Sequence, residues 1–80
     1  MIKLNKYIDG LEEVLERLEN KVEELQEKQE AIEGKADDHD REMTEKEQER
    51  YDKLEEQIEE LQSEIDDIEN ALDYLRGYAE

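Results

Sequence analysis

The chain predicts an all-α fold, a two-helix antiparallel coiled-coil hairpin that can pair with a second copy as a four-helix bundle. Three observations carry this. Apolar residues recur at alternating steps of three and four along two long runs. The two runs are out of phase with each other. Between them lies a polar segment that loses the apolar seam and holds a helix-start signal.

The first run is Leu4, Ile8, Leu11, Leu15, Leu18, Val22, Leu25, Gln29, Ile32 and Ala36. In heptad terms Ile8, Leu15, Val22, Gln29 and Ala36 sit at a and the others at d. It predicts a helix over about 3–38, with Gly34 fraying its end. Gln29, polar at a core position, reads as a register device. Gly10 falls at an outward c position and costs about 1 kcal/mol against Ala. A turn over about 39–44 follows. Thr44 and Glu47 then have the spacing of a capping box, which makes Thr44 the N-cap of a second helix.

That helix is expected over about 45–77, with Arg76 favourable in its last turn and Gly77 at its end. Its seam is Tyr51, Leu54, Ile58, Leu61, Ile65, Ile68, Leu72, Leu75 and Ala79. Extending the first seam by whole heptads reaches Arg50, one residue short of Tyr51. The chain is therefore read as one unit over 1–80, two helices of about 33 residues and near 50 Å each. One continuous helix is the structural rival, because the turn holds no Pro or Gly.

Antiparallel seams pair a with d′. The favoured register sets Ile32 by Tyr51, Leu25 by Ile58, Val22 by Leu61, Leu18 by Ile65, Leu11 by Leu72 and Ile8 by Leu75. It also sets Lys21 beside Glu64, Val14 beside Ala71 and Tyr7 beside Tyr78. A register shifted by one heptad sets Val14 beside Glu64 and Lys28 beside Arg50, which is worse. The favoured register leaves Glu12 near Glu69 and Lys35 near Arg50. Leu18 and Ile65 are expected to share the mid-hairpin core.

Of the 80 residues, 28 are acidic and 11 basic, for a formal net charge of −17. Charged residues make up 49% of the chain and hydrophobic ones 34%. Such a composition usually means disorder; the heptads outweigh it here. Without cysteine there is no disulfide framework, thiolate nucleophile or zinc knuckle, and the cytoplasm is the expected location. No signal peptide and no membrane span are expected. The negative charge argues against direct binding to nucleic acid or to an anionic membrane.

No catalytic residue, metal or cofactor is expected, and the chain is read as a non-enzyme. Its carboxylates sit on outward positions, and a general acid needs a pocket to perturb its pKa. The segment Asp37-Asp38-His39-Asp40 is the one metal-like cluster. It lacks the ligand spacing and Gly of an EF-hand loop and reads as a solvated acidic turn. On the second helix, Gln62-Ser63-Glu64-Ile65-Asp66 is similar to the Ser-Gln-Glu-Leu-Asp signature of small helical-hairpin phosphatases of sporulating bacteria. The first two residues are swapped and Ile65 replaces Leu, so the activity does not carry over.

Function therefore rests on charge. Carboxylates at i and i+4 lie about 6 Å apart, near the ~7 Å between phosphates along a nucleic-acid strand. A narrow acidic rod can offer a DNA-like field to a basic groove. In charge and size the chain resembles small acidic inhibitors of phages and mobile elements, such as some anti-restriction and anti-CRISPR proteins. The expected role is a DNA-mimic-like inhibitor docking on a basic surface of a partner protein through Glu56, Glu59, Glu60, Asp66, Asp67 and Asp73. The alternative is an assembly module. At the open end of the hairpin Tyr7, Val14, Ala71, Tyr74 and Tyr78 widen the apolar stripe beyond a and d, as in a bundle. A homodimer would cover them.

Overall fold

The computed structural model describes residues 2–79. Met1 and Glu80, the ends of the expected unit, lie outside them, as does the side chain of Ala79, the last seam position. Two helices, α1 (Ile2–Asp38) and α2 (Glu45–Ala79), run along each other as a helical hairpin. At 1.5 Å per residue, the 37 residues of α1 make a rod of about 55 Å. The longest dimension is 58 Å and the other two are 16 and 14 Å. A continuous helix would reach about 120 Å, so the chain reverses.

The reversal needs no glycine. The Arg41 N–H donates to Ala36 C=O at 3.1 Å and the Asp40 N–H to Asp37 C=O at 3.0 Å. This is the Schellman pair of bonds, with Asp40 as the left-handed residue at φ 52°. Aspartate tolerates that conformation better than most side chains. Gly34, expected to fray α1, stays helical, and Gly77 lies inside α2. Each costs about 1 kcal/mol of propensity, too little to break a helix; Gly34 lies between the buried seam residues Ile32 and Ala36.

Thr44 caps α2. Its Oγ1 accepts from the Glu47 N–H at 3.2 Å, and Glu47 Oε1 accepts from the Thr44 N–H at 2.9 Å. Both halves of the capping box are made. Arg41 clamps the same carboxylate with two bonds, Nη1 to Oε1 at 2.7 Å and Nη2 to Oε2 at 3.2 Å. Arg41 thus ties the end of α1 to the first turn of α2.

Val22, Leu25 and Ile58 form a buried cluster ringed by Leu54, Leu61 and Ile65, as the favoured register requires. Ile8, Ile32, Ala36 and Leu72 are also buried. Gln29 is 7% exposed. Its Nε2 donates to Tyr51 C=O at 3.3 Å and to Glu55 Oε2 at 2.7 Å. A heptad slip would leave this buried amide unpaired at a cost of about 1–3 kcal/mol, so Gln29 holds the register.

Three local expectations change. Leu18 and Ile65 are only half-buried, because two helices cannot enclose a seam that four would. Glu12 pairs with Arg76 at 3.1 Å, one heptad along the flank from Glu69, where opposite charge replaces like charge. Tyr78 packs on Tyr74 within α2, ring centroids 5.1 Å apart, while Tyr7 stays 68% exposed.

Candidate interaction surfaces

A heptad repeat sends e and b residues to one flank of the hairpin and g and c residues to the other. On the e/b flank, Val22 and Ile65 floor an open groove of about 560 Å³ walled by Glu19, Glu23, Gln26, Gln62 and Asp66. The g/c flank holds two smaller grooves. Lys28, Arg50, Lys53, Leu54 and Gln57 line one of about 220 Å³. Lys28, Ala31, Ile32, Lys35, Glu47 and Arg50 line another of about 230 Å³.

The two flanks differ in charge. Between Arg17 and Lys53, every Lys and Arg outside the turn-proximal Arg41 and Lys46 falls at g or c. These are Arg17, Lys21, Lys28, Lys35, Arg50 and Lys53. Along the e/b flank run Asp9, Glu12, Glu16, Glu19, Glu23, Glu30, Glu33 and Asp37 of α1, with Asp52, Glu55, Glu59, Asp66, Glu69 and Asp73 of α2. Its one e or b cation is Arg76, already held by Glu12. The net negative charge is therefore carried by one long side of the rod.

All six acidic residues singled out from the sequence are exposed, but they do not share a face. Glu59, Asp66 and Asp73 sit at successive b positions, about 10.5 Å apart along α2, and Glu56 at the outermost f position beside them. Glu60 and Asp67 are at c, on the cationic flank. Heptad bookkeeping of the Lys and Arg residues would have exposed this division; the total charge concealed it.

The apolar set does share a face. Tyr7, Val14, Tyr74 and Tyr78 are 68%, 39%, 67% and 69% exposed, all at g or c, with Ala71 exposed at g between them. The Tyr74 and Tyr78 hydroxyls lie 3.4 Å apart. That hydrogen bond, with some loss of solvent, pushes the Tyr74 phenol above its ordinary range. At the other end of the seam the Glu33 carboxylate does the same to Tyr51, helped by desolvation and by Glu55 and Asp52.

The turn holds the strongest local electrostatics. The hydrogen bond from Arg41, then that from the Thr44 backbone, pull Glu47 down to about 2, and Glu47 in turn raises Arg41. Asp37, Asp40 and the neighbouring backbone are engaged in ending α1. Among the described residues no three His, Asp or Glu side chains converge as a metal site. None of the described helices is long and apolar enough to cross a membrane.

With this geometry in hand, comparison with family models, curated proteins and solved structures returns no match.

Proposed function

We propose that the hairpin is a non-enzymatic binding module whose acidic e/b side occupies a basic surface on another protein, in the manner of a DNA mimic that inhibits a nucleic-acid-binding partner. The observation that supports this is the one-sided charge. A solvated coiled coil needs only mixed charge for solubility. Here carboxylates repeat along one side of a 58 Å rod, and the cations apart from the paired Arg76 are kept off it. Such a side attracts a basic groove over several ångströms and orients the rod as it approaches. An origin in a phage or another mobile element belongs to the same proposal.

The binding residues on this reading are Glu59, Asp66 and Asp73 with Glu56, joined by Glu19 and Glu23 across the groove. Glu60 and Asp67 contribute only to the long-range field. The test is capture from one cell extract by the wild type and by a Glu59→Lys/Asp66→Lys/Asp73→Lys variant. A protein held by the wild type should be absent from the variant. It should also be released by duplex DNA and by high salt, where the Debye length falls from about 10 Å at 0.1 M to about 3 Å at 1 M. Equal capture by the variant, or indifference to salt and DNA, overturns the reading.

A further inference from the structure

We infer that the g/c flank is a self-association surface, on which a second copy of the chain packs antiparallel about a two-fold axis to close a four-helix bundle. The inference stands apart from docking through the acidic side, which the dimer would leave outward on both copies.

Charge selects the face. Two rods of charge −17 cannot approach through their e/b sides without stacking carboxylates on carboxylates. The g/c flank is where the cations are. It is also where the large exposed hydrophobic side chains among the described residues lie, namely Tyr7, Val14, Tyr74 and Tyr78. Behind it the seam is incompletely closed, with Leu54 lining a groove open to solvent. A core of two helices leaves such positions half-wet, and small helical units commonly cover them by oligomerising.

The order of side chains along the flank selects the direction. From the open end toward the turn come first the tyrosines, then Arg17, Lys21, Glu60 and Glu64 at mid-length, then the cations lining the turn-side grooves. A parallel pair would stack those cations on themselves. An antiparallel pair, with its axis at mid-length near Lys21 and Glu64, lays Lys35 and Arg50 against the open-end tyrosines of the other copy. Cations over aromatic faces attract. The same placement brings Lys21 to the partner's Glu64 and Arg17 to the partner's Glu60. The same spacing also brings Glu24 to the partner's Asp67, a like-charged pair that the Lys21 and Arg17 pairs adjoin.

The area is adequate. The hairpin exposes 6559 Å², against roughly 5,100 Å² for a compact monomer of its mass. The excess, on the order of 1,500 Å² per chain, is more than the roughly 800 Å² that each partner gives up in a standard-size interface.

The chain has no cysteine, so single introduced thiols report contacts cleanly. Sedimentation equilibrium of the wild type should return twice the 9.6 kDa chain mass. Under mild oxidation Lys21→Cys should cross-link to itself, while Tyr7→Cys and Lys35→Cys should cross-link to each other in a mixture and not alone. Lys35→Glu/Arg50→Glu should weaken association at least tenfold with helicity retained by circular dichroism. A mass of 9.6 kDa at every concentration overturns the inference. So does self-linking of Tyr7→Cys, which reports a parallel pair, or a dimer that cross-links through Asp66→Cys and not Lys21→Cys, which reports the acidic side. A monomeric mass or a parallel pair leaves capture by the acidic side untouched, so the two readings can fail separately.

Discussion

The turn half and the open half of this hairpin share one heptad pattern and end up in different states. Toward the turn, Val22, Leu25, Gln29, Ile32, Ala36 and Ile58 are buried, the amide of Gln29 is paired across the helices, and Arg41 and Thr44 converge on Glu47. Toward the termini, among the described residues, only Ile8 and Leu72 are buried. Leu11, Leu15, Leu18, Ile65, Ile68 and Leu75 are half-buried, and the tyrosines face solvent. The turn half buries a continuous core within one chain, with Tyr51 and Leu54 of α2 half-buried at its edge. The open half has the side chains of a bundle and only two helices to bury them.

The sharpest way to break this contrast is to truncate one seam residue in each half. Leu25 is 3% exposed, and Leu25→Ala should cost about 3–5 kcal/mol of unfolding free energy. Leu18→Ala, at a half-buried position, should cost about half as much in dilute protein, where less apolar area is lost from burial. Urea denaturation followed by circular dichroism measures both. Equal costs at the lowest concentration would mean that the isolated hairpin is as well packed at its middle as near its turn. A Leu18→Ala cost that grows with protein concentration would instead report a partner copy covering that position.

Much of this was legible in the sequence because a heptad is a strong signal. The three-four steps located both helices, and the flanking g positions selected the register now seen around Leu25 and Ile58. Thr44 and Glu47 marked the start of α2. The reversal was harder to read. Gly34 was expected to fray α1, yet the helix passes through it and the chain turns on the left-handed Asp40, a conformation set by backbone bonds that no spacing encodes. The surfaces were read by total charge, and a sum has no direction. Glu60 and Asp67 were therefore grouped with Glu59 and Asp66, though the c and b positions of α2 face opposite flanks. The Arg41 clamp was missed because it joins residues brought together only by the turn.

The turn half should carry a distinct acid sensitivity. Glu47 sits at about 2, well below its ordinary 4.5, because Arg41 and the Thr44 backbone bond its charged form. A depressed folded value means that the stabilisation is complete above about 4.5 and is lost as the pH falls from there toward 2. Glu47→Gln removes that contribution, so the difference in melting temperature between wild type and variant should shrink across this window. Comparing the two chains at each pH cancels the relief of charge repulsion common to both. A constant difference from neutral pH to pH 2 would show that the Arg41–Glu47 clamp does not depend on the carboxylate charge. Thr44→Ala tests the other half of the box and should cost about 1 kcal/mol at neutral pH.

The smallest expected effect lies at Asp40. A φ of 52° brings the Cβ of an L-residue against its own backbone at a cost of about 1–2 kcal/mol for most side chains, less for aspartate, which favours this region. Glycine has no such cost but loses more backbone freedom on folding. Asp40→Gly should therefore stabilise the hairpin by a few tenths of a kcal/mol up to about 1 kcal/mol. Asp40→Val, with a branched side chain in the same conformation, should destabilise it by more than the glycine gains. Because Asp40 belongs to the turn, neither change should alter the sedimentation mass or the cross-linking pattern of the open half. Thermal melts of the two variants measure the effect. If valine proved as stable as aspartate, the left-handed turn would not be what reverses the chain, and the closure of the turn half would have to rest on the Arg41–Glu47 clamp and the Gln29 layer.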